Sequence, residues 1–173
     1  LSLYGGNYEM NPKTVSDRYN ILRVGSDTDV RMWNSNATTT IVDASGSLYS
    51  QDHDGVNGDL YIYGDYVRTS GNDFWSHTRD FDGADLTGGS ERQAHVYFAA
   101  NASSTHIGGS LEVLGTTTAS TTLQNQGSGN YSVTIGGTAS TSWQYYAVRN
   151  VDSKGLIFTG TPSVDTLSRG DIE

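Results

Sequence analysis

Apolar and polar positions alternate in short bursts along this chain. Ser110 to Leu114, Thr121 to Leu123, Tyr131 to Ile135, Gln144 to Val148, Leu156 to Phe158 and Val164 to Leu167 carry β-branched, aliphatic or aromatic residues at alternate places, and turns of Gly, Ser, Thr, Asn and Asp bound them. A period of two sends neighbouring side chains to opposite faces of an extended backbone, so these runs predict short strands. No window sustains a period of 3.6, which predicts a chain almost free of helix. The runs recur every 10 to 13 residues or so (about one strand and one turn), the spacing of an all-β sandwich, barrel or solenoid.

The same pattern continues upstream. Ser2 to Met10 alternates around Gly5-Gly6 and reads as a hairpin or a solenoid corner, closed by Asn11-Pro12 because proline donates nothing to a ladder. Tyr19 to Val24, Val30 to Trp33, Thr38 to Val42, Ser47 to Ser50, Leu60 to Val67 and Ala94 to Ala99 are the other predicted strands. Between them, Arg68 to Gln93 departs longest from strand spacing and reads as a loop excursion from the main sheet. Gly58 to Gly64 matches Gly109 to Gly115, and Gly6 to Met10 echoes Gly129 to Val133, without a strict period. Irregular coils that keep inward residues and vary their corners produce such matches. The expected fold is therefore all-β, a right-handed parallel β-helix or solenoid of short irregular coils spanning residues 1–173 as one domain or as a segment of a longer array, with a two-sheet β-sandwich as the alternative.

Composition narrows the function. With 10 Lys and Arg against 19 Asp and Glu, the net charge is −9 and the pI about 4.6, and the basic residues are scattered. Phosphate binding needs clustered cations, so nucleic acid is disfavoured as a partner, and anionic membranes likewise. No apolar run reaches the ~20 residues of a membrane span, so no membrane insertion is expected in this segment. Cysteine is absent, so ladders and stacked side chains must supply what disulfides supply elsewhere. The richness in Gly, Ser, Thr and Asn, with little Lys, points outside the cell; a start at Leu1 without Met reads as a mature or excised segment.

Chemistry is sparse. Asp52-His53-Asp54-Gly55-Val56-Asn57-Gly58-Asp59 sets Asp52, Asp54, Asn57 and Asp59 around a Gly-containing turn, hard oxygen donors of the kind Ca²⁺ selects, though glycine stands fourth rather than sixth and Tyr63 takes the place of an EF-hand's last glutamate. An acidic solvated turn is the plain alternative. Asp80, Asp82 and Asp85, with Phe74, Trp75 and His77 nearby, are the other candidate ligand-binding group, since spaced carboxylates could hold a cation or, beside an aromatic platform, act on a saccharide; a solvated Asp-rich loop tip is the favoured alternative. There is no Gly-x-Ser-x-Gly elbow, and His53, His77, His95 and His106 stand at no metal-ligand spacing; His95 and His106 lie in or beside strands and read as structural. No catalytic residue is expected. Eleven Tyr and three Trp exceed what a slim core needs, so Trp33, Trp75 and Trp143 read as surface aromatics. Asn36-Ala37-Thr38, Asn101-Ala102-Ser103 and Asn130-Tyr131-Ser132 are glycosylation sequons of a kind this composition yields by chance, and Arg169-Gly170-Asp171 reads as a turn.

Gln124-Asn125-Gln126-Gly127-Ser128-Gly129, Gln144-Tyr145-Tyr146 with Arg149-Asn150, Gly155-Leu156, Thr159-Gly160-Thr161-Pro162 and Leu167-Ser168-Arg169-Gly170-Asp171 resemble repeats in very large surface proteins of small-genome candidate-phylum bacteria. Met32-Trp33-Asn34-Ser35-Asn36 and Ser47 to His53 are similar to the same architecture. The resemblance implies an extracellular, solenoid-like region of a structural or adhesive protein, with no catalytic residues to carry over. The alternative is a calcium-dependent carbohydrate-binding or carbohydrate-active module with surface glycans as partners. Strand-like sequence at Leu1 to Tyr4 and at Val164 to Leu167, without a polar cap, predicts that the ends contact neighbouring repeats or further copies end to end.

Overall fold

The computed structural model describes residues 1–10, 18–25, 28–32, 35–42, 47–50, 59–68, 72–76 and 95–173. Among these residues the regular structure is all strand, and the strands come in turn-by-turn sets. The first coil carries β1 (Ser2–Leu3) and β2 (Gly6–Met10), the second β3 (Arg18–Val24) and β4 (Thr28–Met32), the third β5 (Ser35–Val42) and β6 (Ser47–Ser50). The fourth has β7 (Asp59–Arg68) and β8 (Asn72–Ser76). From there each coil holds three strands: β9 (His95–Phe98), β10 (Ser103–His106) and β11 (Ser110–Leu114); then β12 (Thr121–Asn125), β13 (Tyr131–Ile135) and β14 (Ser140–Gln144). The last set is β15 (Tyr146–Arg149), β16 (Val151–Phe158) and β17 (Ser163–Ser168), and β18 (Asp171–Ile172) opens one more turn.

Among the described residues, strands pair with the equivalent strand of the next coil and never with their sequence neighbour. One sheet runs β1-β3-β5-β7-β9-β12-β15-β18 with β10, β13 and β16 beside it, and the other runs β17-β14-β11-β8-β6-β4-β2. Every pairing among the described strands is parallel, as in Leu111 with Thr141 or Val96 with Leu123. Parallel pairing between elements a full coil apart is a solenoid, and it excludes the hairpin-built sandwich. The long β7 explains the change from two strands per coil to three. Its first half pairs with β9 (Ile62 with Phe98) and its second half with β10 (Tyr66 with Ser104), so one ladder divides into two.

The interior is a set of rows running along the axis. Val96, Leu123 and Val148 stack in register, as do Val113 and Trp143, and all are fully buried. Their outward neighbours remain partly exposed, the alternation that each short run predicts. Corners are tight. Gly5-Gly6 joins strands of different sheets and is a corner, not a hairpin turn. Gly137 sits at φ +59 with Ile107 O where a Cβ would stand, so only glycine fits this corner.

Three expectations change. Gln144 to Val148 is not one strand, because Tyr145 at φ 51 turns the chain from β14 in one sheet to β15 in the other. Inside the 68–93 stretch, Asn72–Ser76 is a strand paired with both β6 and β11. The matched segments around Leu60 to Tyr63 and Leu111 to Leu114 lie in different sheets, so their likeness is that of any two glycine-bounded strands.

Candidate functional site

The densest chemistry lies inside the solenoid. Tyr66 and Arg68 on β7, Trp75 on β8, and Ser104 and His106 on β10 are all buried, because alternation turns these positions inward, and Ser76, at the end of β8 and on the opposite face from Trp75, is buried as well. Trp75 meets Tyr66 edge-on at 5.7 Å and His106 at 5.4 Å, and Tyr66 lies 5.5 Å from His106. Ser104 Oγ and His106 Nε2 share a 2.8 Å hydrogen bond. Burial, then the Arg68 guanidinium paired with it in register, push the His106 imidazole down to about 3. The ring is therefore neutral at ordinary pH. A hydroxyl within hydrogen-bond reach of a neutral imidazole has the geometry of a nucleophile and base. With Ser104 0% and His106 1% exposed, however, the pair is closed off from solvent, and its hydrogen bond gives the buried Ser104 Oγ and His106 Nε2 a partner. The structural reading of His106 matches this placement; His95 is half-buried on β9 with its ring 6.2 Å from Tyr97.

Trp75 and Trp143 are not surface aromatics. Both are fully buried, because the dividing ladders open an interior wide enough for indoles. Trp143 Nε1 donates to Thr141 Oγ1, whose hydroxyl donates to Leu111 O at 2.9 Å, and its ring meets Tyr146 edge-on at 5.2 Å. Trp75 therefore offers no stacking platform to a saccharide. Of the other candidates, Asp59 opens β7 and Phe74 lies on β8. Trp33, Asp52, His53, Asp54, Asn57, His77, Asp80, Asp82 and Asp85 lie outside the described residues. Among the described residues no three His, Asp or Glu side chains gather around a point that could hold a metal ion. Arg169-Gly170-Asp171 is the corner into β18: the Arg169 guanidinium hydrogen-bonds the Tyr145 hydroxyl and covers its ring at 5.0 Å, while the Tyr146 ring fills the space a side chain at 170 would need.

A shallow notch of about 230 Å³ opens where β9 turns into β10 and β12 into β13, lined by Asn101, Ala102, Asn130, Tyr131, Ser132 and Asp152. Asn101, left-handed at φ 64, donates its backbone N–H to Asn130 O at 2.8 Å, which stacks one corner on the next. Beneath it Tyr131 lies flat on Phe98, centroids 4.2 Å apart and planes 2° from parallel, and donates its hydroxyl to Leu123 O at 2.7 Å. Burial pushes the Tyr131 phenol up, so it stays a donor.

Among the described residues, exposed apolar side chains gather on the first coils, at Leu1, Tyr4 and Ile21, and on the last. Phe158, Val164, Leu167 and Ile172 are 40%, 44%, 44% and 47% exposed. They continue the rows of Ile135, Thr141, Trp143 and Val148, which one coil earlier are buried. No family model, curated protein or solved structure matches the chain. Function therefore rests on the geometry alone: the filled interior rows and the closed corners of the described residues.

Proposed function

We propose that this chain is a non-catalytic structural or adhesive segment of an extracellular bacterial surface or filament protein. The observation that carries the reading is the continuity of the parallel ladders: inward rows run from the first coil to the last, and the chemically capable residues described, His106, Ser104, Arg68 and the two tryptophans, are spent on filling them. Each ladder bond lies across the coil-to-coil step, so the solenoid resists extension along its axis through many bonds in parallel. Hydroxyl and amide corners keep the flanks wet, and the charge of −9 limits lateral aggregation. The resemblance to repeats of large bacterial surface proteins supports the extracellular placement.

The calcium-dependent carbohydrate module remains the rival, and it rests on carboxylates outside the described residues together with Asp59. A polysaccharide panel scored for both binding and turnover separates the two. The structural reading predicts no released product on any member; reproducible turnover overturns it. Antibody labelling or protease shaving of intact source cells checks the placement, and a signal confined to lysed cells contradicts it.

A further inference from the structure

The ladder between β13 and β16 breaks where the notch opens. Tyr131 pairs with Val151 and Val133 with Leu156, so Asp152, Ser153, Lys154 and Gly155 together stand opposite Ser132. The other slips among the described pairings pass a single extra residue, as at Asp165 between β14 and β17. Gly155 at φ 70 and the 2.8 Å hydrogen bond from the Lys154 N–H to Asp152 Oδ1 give this bulge a turn of its own. A bulge re-aims side chains, and this one brings Asp152 to the notch that Asn101, Asn130 and Ser132 already line. The lining comes from three successive coils, on the flank of the stack. Its polar groups are unspent. Asn101 and Asn130 are exposed and Ser132 and Asp152 half-buried, while Ala102 and Tyr131, each 1% exposed, close the floor. Asn101 and Asn130 stack their corners through backbone groups, and among the described residues nothing within the protein hydrogen-bonds either carboxamide or the Ser132 hydroxyl.

We propose that the notch binds one glycosyl unit of an uncharged glycan through Asn101, Asn130, Ser132 and Asp152, without a metal ion. The proposal rests on the adhesive side of the reading above and names its partner. The ligand class follows from the donor and acceptor inventory. Two carboxamides that both donate and accept, one hydroxyl and one acceptor-only carboxylate complement a ligand whose adjacent groups also do both, as the vicinal hydroxyls of a sugar ring do. A phosphate or sulfate offers mainly acceptors, and it meets Asp152 on a chain of charge −9. One carboxylate and three neutral oxygens fall short of the roughly six to eight oxygens that Ca²⁺ gathers. The volume of about 230 Å³ lies below the roughly 300 to 1,000 Å³ of sites for larger ligands, so it suits one ring. A single ring held from one side binds with a dissociation constant of about 1 mM. Repetition of such a site along an array strengthens the hold on a polymer.

The test titrates an isotope-labelled chain with glucose, galactose, mannose and N-acetylglucosamine in turn, with a chelator present, and follows backbone amide shifts. At least one sugar should move the amides of Asn101, Asn130, Ser132 and Asp152 along a saturable curve with a millimolar midpoint. Asn101→Gly keeps the left-handed corner and removes the carboxamide, and Asp152→Ala removes the carboxylate. Each should weaken binding by about three- to tenfold. Ser132→Ala replaces either variant if circular dichroism shows it unfolded. Sugar shifts that require added calcium, or calcium alone moving these amides while sugar adds nothing, would make the notch a cation site and overturn the proposal. Shifts centred elsewhere, or binding that the variants leave unchanged, would also overturn it. Silence with all four sugars overturns the notch and leaves the structural reading standing. Binding in the notch together with turnover on the polysaccharide panel upholds the site and overturns the non-catalytic reading.

Discussion

Replacing Phe98 by leucine takes one ring out of the stacked pair that ties β9 to β13 across the divide between two ladders. Phe98 is fully buried and its ring lies 4.2 Å from that of Tyr131, with an interplanar angle of 2°. Leucine keeps most of the volume, so Phe98→Leu costs about 1.5 kcal/mol. Tyr131→Leu also strips Leu123 O of its 2.7 Å hydroxyl partner and costs more, about 2 to 3 kcal/mol once the lost hydrogen bond is included. The double variant separates these contributions, because the hydroxyl and packing losses cancel in the cycle while the ring-to-ring contact does not. A coupling of about 1 kcal/mol is expected, the worth of an aromatic pair beyond its buried area. Urea denaturation of the four chains at one pH measures it, provided the slopes agree. Additive losses, with coupling below about 0.3 kcal/mol, would refute the claim that the two rings act as a joint between coils.

Acid should weaken the core through His106. Its pKa is held near 3 in the fold against 6.5 unfolded, so its contribution is complete above pH 6.5 and is lost as pH falls from 6.5 toward about 3. The loss approaches 1.4 kcal/mol per pH unit within that window, and His106→Leu should flatten the urea midpoint's pH dependence relative to wild type; parallel profiles would contradict this. Gly137→Ala should lower the melting temperature well beyond Gly155→Ala. Both positions have positive φ, but only at 137 does the new methyl meet backbone, so equal losses of about 1 kcal/mol would argue against the corner packing. Thr141→Val leaves Trp143 Nε1 without its acceptor in the core and should cost about 1 to 3 kcal/mol by urea titration; a neutral outcome would mean the indole finds another partner.

Strand identity was legible wherever the inward residues are apolar. Ser110–Leu114 turns Leu111 and Val113 inward, and Tyr131–Ile135 turns in Tyr131, Val133 and Ile135, so a period of two stands out in both. Ser103–His106 and the greater part of Ser140–Gln144 were hidden, because their inward positions include Ser104, His106 and Thr141, polar residues that do not mark an inward face until the coil closes over them. Which strands pair was less legible still. Arg18 pairs with Asn36 but Asp65 with Ser103, so corner loops stretch the repeat until no period survives. Trp75 and Trp143 were misplaced for a related reason: a slim core has no room for them, and the division of the β7 ladder cannot be seen in composition. The notch left one trace, Asn-x-Ser at both 101 and 130, where Ser103 and Ser132 prove to be register partners.

The most direct test of the account is the pattern of inter-strand backbone contacts in solution, measured by nuclear Overhauser effects on a labelled chain. Stacked parallel coils predict contacts in register between Val96, Leu123 and Val148 in one sheet and between Val113 and Trp143 in the other. They also predict none of the close Hα–Hα pairs that antiparallel neighbours give. Strong Hα–Hα contacts between consecutive strands such as β11 and β12 would contradict the solenoid, and with it the continuous rows on which the structural function depends.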